Sequence, residues 1–217
     1  MNFQIKRSII IRKYWIYIFF FQFIYGADDT ELWSSVGFEK NLPYSFNIEL
    51  EQELRLKDQF SSFKQTISEV SLSYDLYDGL KVFIPIRYAI FQDKTKERLG
   101  IGGSYKYAFK PISFKYRMKL QRTYENKQFP IDLIRNKFSI EYKINKTFKP
   151  YISSEIFHLQ NLNQYEYDEY RISFGVNVDL PRKKGIKIFY IYKLEDITKS
   201  NQEQINSFGV SYNFKWE

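Results

Sequence analysis

From Tyr44 to Leu56 the chain reads Y-S-F-N-I-E-L-E-Q-E-L-R-L, with an apolar residue at six of the seven even positions and a polar one at every odd position. A helix repeats every 3.6 residues and cannot hold these two sets on separate faces, whereas successive strand residues point to opposite faces. The segment is therefore expected to be a strand with one apolar and one charged face. At about 3.3 Å per residue it spans roughly 40 Å, far beyond the usual soluble strand of about five or six residues.

The same period recurs over residues 31–40, 66–77, 80–92, 97–109, 112–122, 135–145, 148–160, 167–180, 186–195 and 205–216. Leu80, Val82, Ile84, Ile86, Tyr88 and Ile90 form one apolar set, and Tyr170, Ile172, Phe174, Val176, Val178 and Leu180 another. The alternate positions carry Ser, Lys, Arg, Glu, Asn and Gly. Short connections at 41–43, 78–79, 110–111, 145–147 and 181–185 alternate with longer polar ones at 57–65, 92–96, 123–134, 161–166 and 196–204. Asp78-Gly79 is a strong tight-hairpin signal.

Hairpins with short turns at one end and longer loops at the other describe an all-β fold, an antiparallel up-and-down transmembrane β-barrel of about 10 to 12 strands with short periplasmic turns and longer extracellular loops. A soluble lipocalin-like carrier also alternates. Strand length, uninterrupted apolar faces with aromatics near both ends, and the aromatic-rich finish from Phe208 to Trp216 favour the membrane form.

Two details resist. An even strand number with both termini on the periplasmic side is the bacterial rule, which makes 31–40 a surplus segment that either extends a neighbouring strand or tucks into the lumen. Pro85 removes a ladder donor inside a strand. A bulge is expected there, with Gly100, Gly102 and Gly103 supplying a compensating bend.

Residues 1–27 have the form of a secretory signal peptide: Lys6, Arg7, Arg12 and Lys13 precede the 12-residue apolar run Tyr14 to Tyr25, followed by Gly26-Ala27 and Asp28-Asp29. A spanning helix needs about 20 apolar residues, so cleavage and export are expected over an uncleaved anchor. Bulky Tyr25 leaves the cut free to shift by a residue. Residues 28–217 then form a single domain in the bacterial outer membrane. Its expected partners are outer-membrane lipid and, during biogenesis, periplasmic chaperones and the barrel-assembly machinery. Losing residues 1–27 removes four Lys/Arg and no Asp/Glu, which lowers the formal charge from +8 to +4. The remaining bases are interleaved with acids, so no nucleic-acid partner is expected. The chain has no Cys, which excludes disulfides, thiolate metal sites, a Cys nucleophile and an N-terminal Cys lipid anchor.

Trp33, the stretch E-L-E-Q-E-L-R from Glu49 to Arg55, P-Y-I-S-S-E-I-F from Pro150 to Phe157 and Y-R-I-S-F-G-V from Tyr170 to Val176 resemble the uncharacterised bacterial outer-membrane barrels grouped as domain of unknown function 2490. The resemblance covers nearly all of residues 28–217. It implies a fold and a location and carries no activity with it.

The polar face of 44–57 offers Glu49, Glu51, Glu53 and Arg55, with Glu69 and Asp75 on the next strand. Arg98, Lys106, Lys115, Arg117, Lys119, Arg135, Lys137 and Lys143 answer from 97–145, and Glu155 and Arg171 are expected to join them. An acidic wall facing a basic one could orient or select a small polar solute, giving a narrow pore. Mutual neutralisation into a plug-like network is favoured, because barrels of about eight strands are only wide enough for side chains.

His158, the only histidine, shares a face with Ser154. Four strand residues separate them by about 13 Å, too far for a nucleophile and base, so a lipid-modifying enzyme is only the alternative reading. Glu51 and Glu53 lie two residues apart, about 6.6 Å, a spacing that any alternating strand produces. No phosphate loop, zinc spacing or calcium loop appears, and no cofactor is expected.

Overall fold

A computed structural model describes residues 27–125, 128–160 and 165–216. The expected signal segment lies outside the described residues except for Ala27. Eleven strands follow one another along the chain: β1 (Asp29–Asn41), β2 (Phe46–Lys57), β3 (Ser62–Tyr77), β4 (Leu80–Phe91), β5 (Thr95–Phe109), β6 (Ile112–Glu125), β7 (Ile131–Tyr142), β8 (Phe148–Gln160), β9 (Tyr165–Leu180), β10 (Lys184–Glu195) and β11 (Glu203–Trp216). Each pairs antiparallel with the next, and β1 pairs with β11 to close a barrel.

The closing pair is parallel, in register from Asp29↔Ile205 to Lys40↔Trp216. Eleven is odd, and an odd meander can close only by setting its first and last strands parallel. The barrel is therefore mixed rather than wholly antiparallel, and residues 29–41 are neither an extension nor a lumen insert. They are a full strand, with Glu31, Trp33, Ser35, Gly37 and Glu39 inward. Asp29 and Trp216 consequently lie at opposite ends of the barrel, which corrects the expectation of both termini on one side.

Side chains stitch this seam at every fourth residue. Ser207 Oγ donates to Glu31 Oε2 at 3.4 Å, Ser35 Oγ to Ser211 Oγ at 2.8 Å, and Lys215 Nζ to Glu39 Oε1 at 2.6 Å. At its start, Asp28 N donates to Gln204 O and Gln204 N to Asp28 Oδ2, both at 2.8 Å. Asp28, which the sequence offers only as a residue after a cleavage site, clamps the closure, while Asp29 Oδ1 accepts from Asp58 N at 2.9 Å in the loop after β2.

Strands run further into the connections than periodicity alone indicates. The connections after β2, β4, β6, β8 and β10 (the loop end) occupy 58–61, 92–94, 126–130, 161–164 and 196–202, against 42–45, 78–79, 110–111, 143–147 and 181–183 at the turn end. The loops are longer only modestly, because alternation breaks down near strand ends where both faces meet water. Gly79 takes a φ of 75°, and a Cβ there would meet Lys106 O at 2.1 Å, so only glycine turns this corner.

Pro85 causes no bulge. Phe83↔Gly102 and Ile86↔Leu99 keep one register on either side of it, so the ladder with β5 is interrupted and not shifted. A Cβ on Gly100 would lie 3.1 Å from Pro85 Cγ, so the glycine makes room for the ring. Register shifts occur instead at Arg55/Leu56, Asp75/Tyr77 and Phe157/His158.

The barrel is apolar outside and charged inside, the inverse of a soluble carrier with a greasy lumen. Leu50, Val70, Leu72, Ile84, Ile86, Leu99, Ile101, Leu120, Ile188 and Val210 are exposed on the outer wall. Aromatics border this band at both ends: Phe46, Tyr77, Tyr105, Tyr107, Phe109, Tyr142 and Trp216 at the turn end, and Phe60, Tyr88, Tyr124, Tyr167 and Phe208 at the loop end. Such belts suit the two interfaces of a bilayer, where one side of the ring is wet and the other apolar.

Candidate functional site in the barrel lumen

Strands about 4.8 Å apart and tilted by about 40° place eleven backbones on a circle of about 11 Å radius. Long side chains pointing inward from all sides can meet at the axis of such a barrel. In the loop-end half they do. Glu31, Trp33, Arg55, Gln65, Ile67, Ala89, Lys119, Gln121, Thr123, Arg135, Glu155, Phe157, Glu169, Ile191, Lys193, Ile205 and Ser207 all face inward and are buried.

Two clusters build this barrier. In the first, Glu31, 0% exposed, accepts from Trp33 Nε1 at 2.6 Å, Lys64 Nζ at 2.5 Å and Lys193 Nζ at 3.2 Å. The Arg55 guanidinium stacks 3.5 Å from the centre of the Trp33 ring, with Arg171 at 5.6 Å and Lys193 at 5.7 Å from the same centre. In the second, Glu155 Oε1 accepts from Arg135 Nη2 at 2.8 Å and Nε at 3.1 Å, and from Arg117 Nη2 at 3.2 Å. Lys137 stands 3.8 Å from Glu155. Phe157 joins the clusters, with Arg135 4.3 Å and Arg171 4.6 Å from its ring centre.

Glu49, Glu51, Glu53, Arg55, Glu69, Arg117, Glu155 and Arg171 all face the lumen, but their partners are mostly neighbours and not the opposite wall. Glu53 pairs with Arg55 on the same strand at 2.6 Å, Glu69 with its cross-strand neighbour Arg87 at 2.5 Å, and Arg171 with Glu169. Glu155 of β8 does meet the basic wall as expected, through Arg117 of β6 and Arg135 and Lys137 of β7. Glu51 lines a cavity of about 170 Å³ beside the barrier, and Glu49 is exposed to the lumen. Lys143 lies past the end of β7 and is not part of the basic wall. Neutralisation is thus local in the loop-end half and incomplete in the turn-end half.

Inward aromatics are the part that sequence reasoning missed. Phe83 pairs with Gly102, Tyr151 with Gly175 and Phe189 with Gly209. A Cβ on these glycines would lie 2.5 Å from Phe83 Cζ, 2.7 Å from Tyr151 Cε1 and 2.1 Å from Phe189 Cζ. Each ring therefore lies down over a bare stretch of neighbouring backbone instead of projecting to the axis. The signal is an aromatic among polar positions opposite a glycine, visible only once strand pairing is known.

Toward the turn end the lumen opens into two cavities. One of about 280 Å³ lies among Glu39, Glu49, Glu69, Lys81, Lys115 and Lys119, and one of about 310 Å³ among Lys106, Lys115, Arg117, Lys137, Lys187 and Glu141. In the 92–94 loop outside the barrel wall, the Lys94 ammonium is held above its ordinary pKa by its hydrogen bond to Glu125.

His158 and Ser154 both lie on the outer wall with separate partners. The imidazole packs against the Tyr167 ring at 4.7 Å between centres, and Ser154 Oγ pairs with Tyr170 OH at 3.2 Å. Among the described residues, no group of three or more His, Asp and Glu side chains is placed to hold a metal ion.

A closed meander with an apolar exterior, aromatic belts and a charged interior defines a porin-like β-barrel of the kind found in outer membranes. The profile of the family described as "Protein of unknown function (DUF2490)" matches residues 30–204, and the chain belongs to that family. Among solved structures it is similar to the NanC porin, at a TM-score of 0.52 and 14% identity over 76% of this chain and 86% of that one. It is also similar to a bacterial polysaccharide outer membrane secretin, at a TM-score of 0.53 and 7% identity over 76% of this chain and 63% of that one, so it spans less than two thirds of the latter. Identities this low make the likeness one of fold. No curated protein matches the chain.

Proposed function

We propose that this protein is an integral outer-membrane barrel, exported with a cleaved signal peptide, that binds a solute in its lumen and does not act as a free diffusion pore. The observation that supports this reading is the packed barrier around Trp33, Arg55, Arg135, Glu155, Phe157 and Arg171, which fills the loop-end half with buried side chains linked by ion pairs and cation–ring contacts. The turn-end half remains an aqueous blind vestibule. Placing the shorter turns in the periplasm, as in other outer-membrane barrels, makes that vestibule face the periplasm. Biogenesis by periplasmic chaperones and the assembly machinery follows from the same placement.

Reconstitution into planar bilayers tests this. The wild-type barrel is expected to give no stepwise conductance, whereas Trp33→Ala, which removes the ring on which Arg55 stacks, is expected to give small steps. Stable steps from the wild type would show an open pore and overturn the reading.

A further inference from the structure

The two halves of the lumen differ in one chemical respect. Around the barrier most cations are paired with a carboxylate: Arg55 with Glu53, Arg87 with Glu69, Arg135 with Glu155, Arg171 with Glu169 and Lys193 with Glu31, while Arg98 donates to Thr123 Oγ1. In the turn-end cavity of about 310 Å³, five cationic side chains (Lys106, Lys115, Arg117, Lys137 and Lys187) surround a single carboxylate, Glu141. Arg117 and Lys137 share Glu155 below the cavity floor. Glu141 is occupied by Asn177, whose Nδ2 donates to it at 2.8 Å. Lys106 and Lys115 are exposed to the vestibule and form no ion pair among the described residues. Lys187 rests on aromatic faces, 4.9 Å from the Tyr151 ring centre and 5.4 Å from that of Phe189, with no carboxylate paired to it among the described residues.

Both of those rings are among the aromatics that lie over glycines, so Gly175 and Gly209 hold flat the surface on which Lys187 is presented. The cationic groups thus sit on rigid strands around a hollow and are not scattered on a mobile surface. A concave, low-dielectric wall lined by one sign of charge focuses its field and concentrates counter-ions. The volume is at the low end of the roughly 300–1,000 Å³ that holds small-molecule ligands.

We infer that this cavity is a binding site for a small organic or inorganic anion carrying two or more negative charges on carboxylate or phosphate groups. The ammonium groups of Lys106, Lys115 and Lys187 supply the contacts, and Arg117 closes the floor. The inference rests on the blind-lumen reading proposed above and names what the vestibule takes.

Isothermal titration of the refolded barrel in neutral detergent at low salt tests it, with citrate and pyrophosphate as probes and spermidine and glucose as references. At least one of the two anions is expected to bind, more weakly as salt is raised. Affinity is expected to fall at least tenfold in Lys115→Gln/Lys187→Gln and to stay unchanged in Lys199→Gln, in the exposed loop after β10. Binding of citrate alone identifies a carboxylate ligand, and binding of pyrophosphate alone a phosphate. Should the double variant lose the compact gel mobility of the folded barrel, Lys106→Gln, at an exposed position, replaces it and is expected to weaken binding at least threefold. No heat with either anion, equal binding of spermidine, or anion binding untouched by the lysine changes overturns the inference. A folded, non-conducting barrel that binds no anion refutes this site alone, whereas wild-type conductance refutes the blind lumen and leaves the titration to be judged separately.

Discussion

Glu155→Gln probes the lumen barrier in its most loaded contact. The substitution keeps the volume but removes the charge that Arg135 meets through two N–H groups at 2.8 and 3.1 Å. The two side chains are 9% and 5% exposed, so hydration cannot replace what is lost. Removing one partner of a buried ion pair costs about 3–5 kcal/mol, because the other charge stays buried and uncompensated. Arg117 is one third exposed and Lys137 sits at 3.8 Å, so their share is screened and adds at most about 1 kcal/mol. We expect a total loss of about 3–5 kcal/mol, read by urea unfolding in lipid vesicles with tryptophan fluorescence as the signal. Glu155→Gln/Arg135→Met is expected to recover part of it, since the stranded charge is then gone. Lys199→Gln, which breaks an exposed loop pair with Asp196, is expected to leave the midpoint unchanged. A loss below about 1 kcal/mol for Glu155→Gln, or no recovery in the double variant, would refute the argument that this layer is a desolvated barrier.

The parallel seam predicts that Ser35→Cys/Ser211→Cys, in a chain with no other cysteine, oxidises to an intramolecular disulfide, because the two residues are in register and their hydroxyls already touch at 2.8 Å. Absence of the bond by mass spectrometry of the folded barrel would contradict the closure. Gly175→Ala is expected to destabilise more than Gly209→Ala in the same urea assay. Its Cβ would meet a backbone oxygen, Ile188 O, at 2.6 Å, whereas at Gly209 the three nearest atoms belong to the Phe189 ring, a side chain with rotational freedom. Equal effects would remove the distinction. Raising the pH should erase the contribution of Lys94. A folded pKa above the ordinary lysine value of about 10.4 leaves that contribution intact below this value and removes it as pH rises through the folded one, so the midpoint difference between wild type and Lys94→Gln is expected to be full at neutral pH and to shrink as pH is raised above the ordinary lysine range.

The strands and their faces were legible because one pattern encodes both: in Tyr44–Leu56 each residue's parity names its side of the wall. Parity says nothing of which strand lies alongside. The parallel pairing of Glu31, Ser35 and Glu39 with Ser207, Ser211 and Lys215 joins residues 176 apart and has no local trace. The same limit governs the site. Glu53–Arg55 is two residues apart and visible in the chain, whereas Glu69–Arg87 and the stacking of Phe189 over Gly209 require the register. Pro85 was visible as an obstacle, and its solution, a ladder gap faced by Gly100, needed the packing. The basic wall was assigned to neutralisation, because a sequence cannot show that Glu53 and Glu69 are spent on the nearer Arg55 and Arg87.

Gel migration of the protein taken from an isolated outer-membrane fraction, with and without heating in detergent, tests the central claim most directly. A closed barrel stitched along the β1–β11 seam resists detergent at room temperature, so a compact, faster band is expected that shifts to the full-length position only after boiling. Recovery in the soluble fraction, or a single band indifferent to heating, would contradict it.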